Sequence, residues 1–376
     1  MDNRFLVASW LFGFGNSISS PLIALFIDVS SSIYYSITFL VLNSLFILVG
    51  YLMVGFLSSK LRGSMIYYRI GISLYVFFYI LLIFFNKAAY TMIYELAMVY
   101  GIAQGFYWAG WDIIFFNTTN KLLFFNRSTY LGIISSLASP AIYGIILSIL
   151  HGYGYMILFS LSAAMLLMVL VIVKNFPFEQ RSFDISRAIK IHSKDKTYGL
   201  STMALSLIAG GNYILGNLNP IILYNYLDGD YTMFSIVNYS LSIASLLSVY
   251  VIRDKLSHVI KPHRLPSIAS LALLASIPFL FLSPLIYLYS FSLASPLIYP
   301  IIDVYTWNSM KKDELMYYLV NRQIFLNASR ILSSLTELYL FGAMVGATAV
   351  LPVLPIIFMG VLFFTKLKPD GEKILQ

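Results

Sequence analysis

The chain contains no cysteine, only four histidines, and few charges for its 376 residues. Without cysteine there is no disulfide framework, no thiolate metal site and no cysteine nucleophile. His192, His258 and His263 lie in basic segments and His151 stands alone at a turn, so no cluster of metal-ligand spacing forms and no metal site is expected. No segment offers a Ser–His–Asp set, and there is no Gly-x4-Gly-Lys-Ser/Thr phosphate loop. An enzyme is therefore not expected, nor any cofactor, and ATP is excluded as a driver within this chain. Charged residues make up 11%, against roughly 25% in soluble domains. The net charge of +8 is spread over many short loops. That suits anionic lipid headgroups rather than one phosphate-binding face, so nucleic acid is not an expected partner.

What the chain does have is apolar length. Hydrophobic residues make up 59% and the mean hydropathy is +0.82. Twelve apolar stretches are read as spans: 5–27, 33–57, 66–86, 90–114, 128–150, 154–174, 199–226, 231–252, 266–282, 285–308, 322–345 and 348–366. Each is near the ~20 residues a helix needs to cross the hydrocarbon. Helices are required because a lipid-exposed backbone must satisfy its own hydrogen bonds, and barrel-like alternation is missing. The first span lacks a small-residue cleavage site, so it reads as a span rather than a signal peptide. With the N-terminus cytoplasmic, all of the 24 Lys and Arg except Lys87 fall on the cytoplasmic side or within two to three turns of it. Basic loops stay cytoplasmic during insertion. The expectation is a multi-pass protein of the cell membrane with both termini cytoplasmic. The longest polar stretch, with Arg181, Arg187, Lys190, Lys194 and Lys196, divides the spans six and six. The expected domains are a bundle over 1–174, a basic cytoplasmic linker over 175–198 and a second bundle over 199–376.

The halves repeat. Phe106-Tyr-Trp-Ala-Gly-Trp-Asp112 continues to Asn117, and Leu297-Ile-Tyr-Pro-Ile-Ile-Asp303 continues to Asn308. Both place Asp-x4-Asn at the cytoplasmic end of a span, and Arg127 or Arg322 opens the next span. More weakly, Gly15-Asn16 before Pro21 and Asp28 matches Gly216-Asn217 before Pro220 and Asp228. Repeats in one direction make parallel halves. After the second span stands Gly55-Phe-Leu-Ser-Ser59-Lys60-Leu-Arg62-Gly63, and after the eighth Tyr250-Val-Ile-Arg-Asp254-Lys255-Leu-Ser. Here the chain resembles the major facilitator superfamily of secondary transporters, which carries Gly-x3-Asp-Arg-x-Gly-Arg-Arg at the first of these places and a relic at the second. Ser59 and Lys60 depart from that pattern, and the Asp survives only as Asp254. The resemblance covers the whole chain. It implies an all-α integral membrane protein of twelve transmembrane helices in two parallel, pseudo-symmetric six-helix bundles. Lys60, Arg62, Asp254 and Lys255 would then form a cytoplasmic gate. The fifth span adds Ser135-x3-Ser139-Pro140-x2-Tyr143-Gly144, similar to an element of exporter branches of the family. Small residues at that spacing also serve plain helix packing.

Charges inside spans are costly and mark function. Glu95, Asp112, Asp303, Arg330 and Glu337 are such residues. Asp303 lies eight residues before Lys311 and Arg330 eight after Arg322, which predicts an Asp303–Arg330 ion pair at one depth. The alternative has Arg330 snorkelling to the cytoplasmic face. Asp112 has no matching base in its half; it either latches to Lys60 or Arg62 or carries a proton. Glu337, Asp112 and Glu95 are the proton-coupling candidates. The seventh span has the most interrupted apolar run, through Gly210-Gly211-Asn212 and Gly216-Asn217-Leu-Asn219-Pro220, which reads either as a gate or as helix-to-helix hydrogen bonding. Asn16, Gln104, Tyr107, Trp108, Asn212, Asn217, Asn219, Tyr289, Ser292 and Tyr299 are the expected cavity residues.

The family resemblance implies a secondary active transporter of a small organic solute, driven by protons or another coupling ion and working as a monomer in the lipid bilayer. Acids, aromatics and the element of the fifth span point to export of amphipathic or cationic compounds. The hydroxyl and amide content equally suits import of a sugar or other neutral polar solute. A membrane sensor or assembly partner that does not transport is the reading from another class.

Overall fold

The computed structural model describes residues 3–60, 63–116, 121–172, 183–255, 264–340 and 350–367, and among these it contains helices and no strand. Thirteen α-helices are described: α1 Asn3–Ser30, α2 Ile33–Leu57, α3 Ser64–Phe85, α4 Ile93–Phe116, α5 Lys121–Leu150, α6 Gly154–Ile172, α7 Ile185–Lys194, α8 Lys196–Tyr226, α9 Tyr231–Leu247, α10 Leu265–Ala275, α11 Pro284–Asn308, α12 Leu315–Leu340 and α13 Leu354–Thr365. All but α7 overlap the predicted spans.

Among the described residues six helical stretches are long and apolar enough to cross a membrane, and two of them, Ser64–Phe116 and Tyr130–Ile172, each cover most or all of two predicted spans. The chain is a multi-pass membrane protein. The long helices α8 and α12 are not among those stretches. Their composition explains why: α8 carries Gly210, Gly211 and four asparagines, and α12 carries Gln323, Asn327, Arg330 and Glu337.

The chain forms two compact units, residues 1–183 with 230–239, and residues 184–229 with 240–376. In the first, α4 packs between α2 and α3, and α1 packs on α5 and α6. Glycines allow the α4 contacts. A Cβ on Gly101 would lie 2.6 Å from the Asn43 carbonyl oxygen, one on Gly105 2.6 Å from that of Ile47, and one on Gly50 2.9 Å from that of Ile102. Gly101 and Gly105 are four apart, so one bare stripe of α4 meets α2. Dispersion between closely approached backbones replaces a hydrophobic drive that lipid does not supply. Gly105→Ala should therefore destabilise by about 1–3 kcal/mol, the range for overpacking. Gly13→Ala is the control, because its Cβ would meet nothing within 4 Å. Equal unfolding temperatures for the two variants would refute this account of the α2–α4 seam.

In the second unit α8 is central, touching α11, α12 and α13. It runs unbroken through Gly210-Gly211 and Pro220. The interruption expected at this span is thus sequence composition and not a helix break. Neighbouring helices compensate proline and glycine inside membrane bundles. Gly210 lets the backbone of Ser329 approach, its Cβ position lying 2.7 Å from that carbonyl oxygen, and Gly211 faces Ile357.

Within the predicted basic linker, α7 is a structured amphipathic helix. Asp184 caps it, accepting from Ser186 N at 2.9 Å, and Asp195 ends it and caps α8 through Tyr198 N at 3.1 Å. Ala188 and Ile191 are buried, while Lys190 and Lys194 remain exposed. Asn321 of α12 donates to the carbonyls of Ala188 and Ile189 at 2.9 and 3.2 Å, and Arg187 pairs with Glu314. These contacts tie α7 to the second unit.

Candidate functional site

In the first unit Asp112 is buried in α4 and accepts a hydrogen bond from the Tyr51 hydroxyl of α2 at 2.6 Å. The close α2–α4 packing makes that reach possible. Tyr51 was not read from the sequence as part of the site. Tyr107 is buried and stacks on Phe12 with ring centroids 3.6 Å apart, while Trp108 is exposed and Gln104 half-buried. Asn16 accepts from the Tyr79 hydroxyl at 3.4 Å, and that hydroxyl also receives the Ser19 hydroxyl at 2.6 Å. Further along α1, Ser9 accepts from the Trp111 indole at 3.1 Å, and Trp10 donates to Ser135 at 3.1 Å. Ser17 and Ser139 share a 2.6 Å hydrogen bond. The serines of the fifth span thus face α1 and hold α1 against α5. Glu95 is exposed in the first turn of α4, where a helix N-terminus favours a carboxylate.

In the second unit the predicted ion pair is corrected. Asp303 accepts from Arg322 Nη2 at 2.5 Å, not from Arg330, and the Arg322 guanidinium lies 5.0 Å over the Trp307 ring. The cause is a helix boundary. α12 starts at Leu315, seven residues before Arg322, and α11 ends at Asn308, five after Asp303. At 1.5 Å per residue these offsets are about 10 and 8 Å, so the two charges share a depth. Arg330 lies eight residues further on, about 12 Å beyond. Its Nη1 donates to Asn327 Oδ1 at 3.1 Å, its plane sits 5.3 Å over Tyr213, and Tyr299 is nearby.

Glu337 is fully buried in α12, and neither carboxyl oxygen has a hydrogen-bond partner among the described residues. Tyr287 of α11 is within electrostatic reach of it, and the Tyr287 hydroxyl donates to Asn219 of α8 at 3.3 Å. Asn217 instead donates to its own helix at Tyr213 O, 2.8 Å away, and Asn212 is half-buried. Tyr289 shares a 2.5 Å bond with Ser240, and Ser292 offers its carbonyl to Ser245 at 2.8 Å. Of the expected cavity residues in this unit, Tyr299 lies near Arg330 and Asn219 joins the Tyr287–Glu337 region. Tyr289 and Ser292 belong to an α9–α11 contact. Gln323, Asn327 and Tyr213 were missed; Gln323 and Arg330 stand seven apart, as do Arg330 and Glu337, and that spacing was the available signal.

The cytoplasmic gate is only partly described. Lys60 is exposed after α2, and Arg62 lies outside the described residues. Asp254 and Lys255 end a π-helical continuation of α9, Ser248–Lys255. A cavity of about 500 Å³ between α5 and the start of α9 is lined by apolar residues with Ser148, Thr232 and Ser235, and none of the charged candidates reaches it.

No protein-family model and no curated protein matches the sequence. The fold does match solved structures. A point mutant of the nucleoside transporter NupG superposes with a TM-score of 0.71 at 13% identity, covering 97% of this chain and 98% of that one. A bacterial homologue of the iron transporter ferroportin, in an outward-facing state, gives 0.61 at 10% identity over 97% and 98%. The chain therefore has the major facilitator fold over nearly its whole length.

Proposed function

We propose that the chain is a secondary active transporter that carries a small organic solute together with protons, by alternating access of its two bundles. The observation that carries this reading is Glu337. A buried carboxyl group without a protein partner is expensive to keep, and inside membrane helices such groups mark ion and proton pathways. Glu337 is within electrostatic reach of Tyr287, whose hydroxyl donates to Asn219, and it lies on the same helix as Arg330 in a fold that transporters share. Asp112, held by Tyr51, is the better latch candidate of the first unit. The charge distribution supports a place in the cell membrane with cytoplasmic termini.

The leaning to cationic cargo came from the acids, the aromatics and the element of the fifth span, and it drew support from Asp303 neutralising Arg330. With Asp303 held by Arg322, that support is withdrawn. The export leaning from the fifth span weakens as well, because its serines have a packing role.

Purified protein in liposomes, with a pH-sensitive dye inside, tests the proposal. An imposed pH gradient should drive accumulation of at least one solute from a panel of carboxylates, sugars and nucleosides. Adding that solute alone should move protons. If no solute in the panel exchanges with or without a gradient, the transporter reading falls and a sensor or assembly role replaces it.

A further inference from the structure

The polar side chains of α12 are not scattered. Gln323, Asn327, Arg330, Ser334 and Glu337 follow spacings of four, three, four and three, which puts them on one helix face. All but Arg330 are buried. Several of their atoms are covered yet lack a hydrogen-bond partner among the described residues: Arg330 Nε, Ser334 Oγ and both oxygens of Glu337. Buried polar groups are nearly always satisfied, so a row of unsatisfied ones needs an explanation such as a ligand or water.

Arg330 is the fixed charge of the row. Arginine does not give up its proton inside proteins, so its charge needs a counter-charge. The described residues do not supply one. Among them, the ionisable groups that face Arg330 are Tyr213, Tyr299 and the like-charged Arg322. Asp303 is engaged by Arg322. Glu337 stands two turns away, about 10 Å along the axis.

The guanidinium is nevertheless oriented. Asn327 gives its amide hydrogens to the carbonyl and Oε1 of Gln323, at 2.9 and 3.2 Å, which aims its own oxygen at Arg330 Nη1. The Tyr213 ring supports the guanidinium plane. Among the described residues one of the five N–H donors is used, and an aimed fork remains for an acceptor pair.

We propose that Arg330, aimed by Asn327 and backed by Tyr213, binds the oxyanion group of the transported solute, a carboxylate or a phosphate. The inference rests on the transport reading above and deepens it. It also gives the two α12 charges complementary tasks. The solute's negative charge balances Arg330, and a proton balances Glu337, so the loaded bundle carries no uncompensated charge across the hydrocarbon.

The test reads binding rather than flux. The protein is placed in phosphatidylcholine nanodiscs and its unfolding midpoint is measured with benzoate, succinate and inorganic phosphate, each at matched ionic strength in chloride. Benzamide and succinamide are the uncharged counterparts. A ligand of the native state raises the midpoint. At least one anion should do so while its amide does not, and Arg330→Met should abolish the shift. Arg330→Lys keeps the charge and loses the fork, so about tenfold more anion should be needed. If Arg330→Met does not fold, the Arg330→Lys dose dependence decides, and an unchanged dose dependence overturns the assignment. A shift that survives Arg330→Met, or no shift with any anion, overturns it too. Phosphatidylglycerol in the nanodisc separates the sources. If that lipid stabilises the wild type but not Arg330→Met, and no soluble anion does, the site takes a headgroup and the solute assignment falls. A neutral solute carried normally by Arg330→Met would remove this site and leave the transporter reading standing.

Discussion

Replacing Glu337 by leucine should make the protein more stable and unable to use a proton gradient. Both halves of that result come from one fact: the carboxyl group is fully buried, and its two oxygens have no hydrogen-bond partner among the described residues. An unsatisfied buried polar group costs about 1–3 kcal/mol. Leucine is similar in size, and the surroundings on α12 include Leu338 and Leu340. Unfolding should therefore shift to higher temperature by the equivalent of that cost. A group kept at such expense fits the usual exchange of stability against function. Glu337→Gln is the subtler variant, keeping shape and polarity and removing only the exchangeable proton. It should still allow solute exchange between two equal pools, but accumulation against a gradient should collapse to equilibration. Exchange and accumulation are measured in the same liposomes. If Glu337→Leu lowers the unfolding temperature, Glu337 has a structural partner and its proton role is lost. Unchanged accumulation in Glu337→Gln would point to Asp112 or Glu95 instead.

Most of the architecture was legible because the membrane imposes few options. Apolar runs of the right length, and basic residues in alternate gaps, point to helical spans before any side chain is considered. Boundaries were harder wherever a charge was taken as a membrane edge. Arg322 looked like the start of a span, since arginine at an interface is the commoner case. In the structure Leu315 to Val320 are already helical and buried, and Arg322 is only 5% exposed because Asp303 and Trp307 receive it. Sequence shows the charge but not the partner, so the predicted pair slid by two turns. The same limit hid Tyr51. With 29 tyrosines in the chain, no single one stands out. Its hydroxyl meets Asp112 only because glycines bring α2 and α4 together. The α7 helix was missed for another reason. Ten residues with only a few apolar positions resemble a loop, although Asp184 and Asp195 in capping positions were there to be read.

The correction from Arg330 to Arg322 yields the second large effect. Arg322 and Asp303 form a 2.5 Å contact, with side-chain exposures of 7% and 20%. Removing one partner of a buried pair typically costs about 3–5 kcal/mol, because the other charge is left without compensation. Asp303 keeps some exposure, so the lower end, about 3 kcal/mol, is expected for Arg322→Met or Asp303→Asn alone. The double variant removes the attraction together with the charges that needed it, so it should recover much of the loss. Residues in contact show such coupling, whereas sites without shared partners add within about 0.5 kcal/mol. That contrast separates the two arginines. Arg322→Met should couple strongly to Asp303→Asn, and Arg330→Met should simply add to it. The double-mutant cycle is read from unfolding midpoints of all variants in one lipid. Strong coupling between Asp303 and Arg330 would restore the pair expected from sequence spacing and deprive the proposed oxyanion site of its free guanidinium. Additivity at Arg330, with coupling at Arg322, leaves Arg330 with a positive charge that no described residue balances, as the proposed oxyanion site requires.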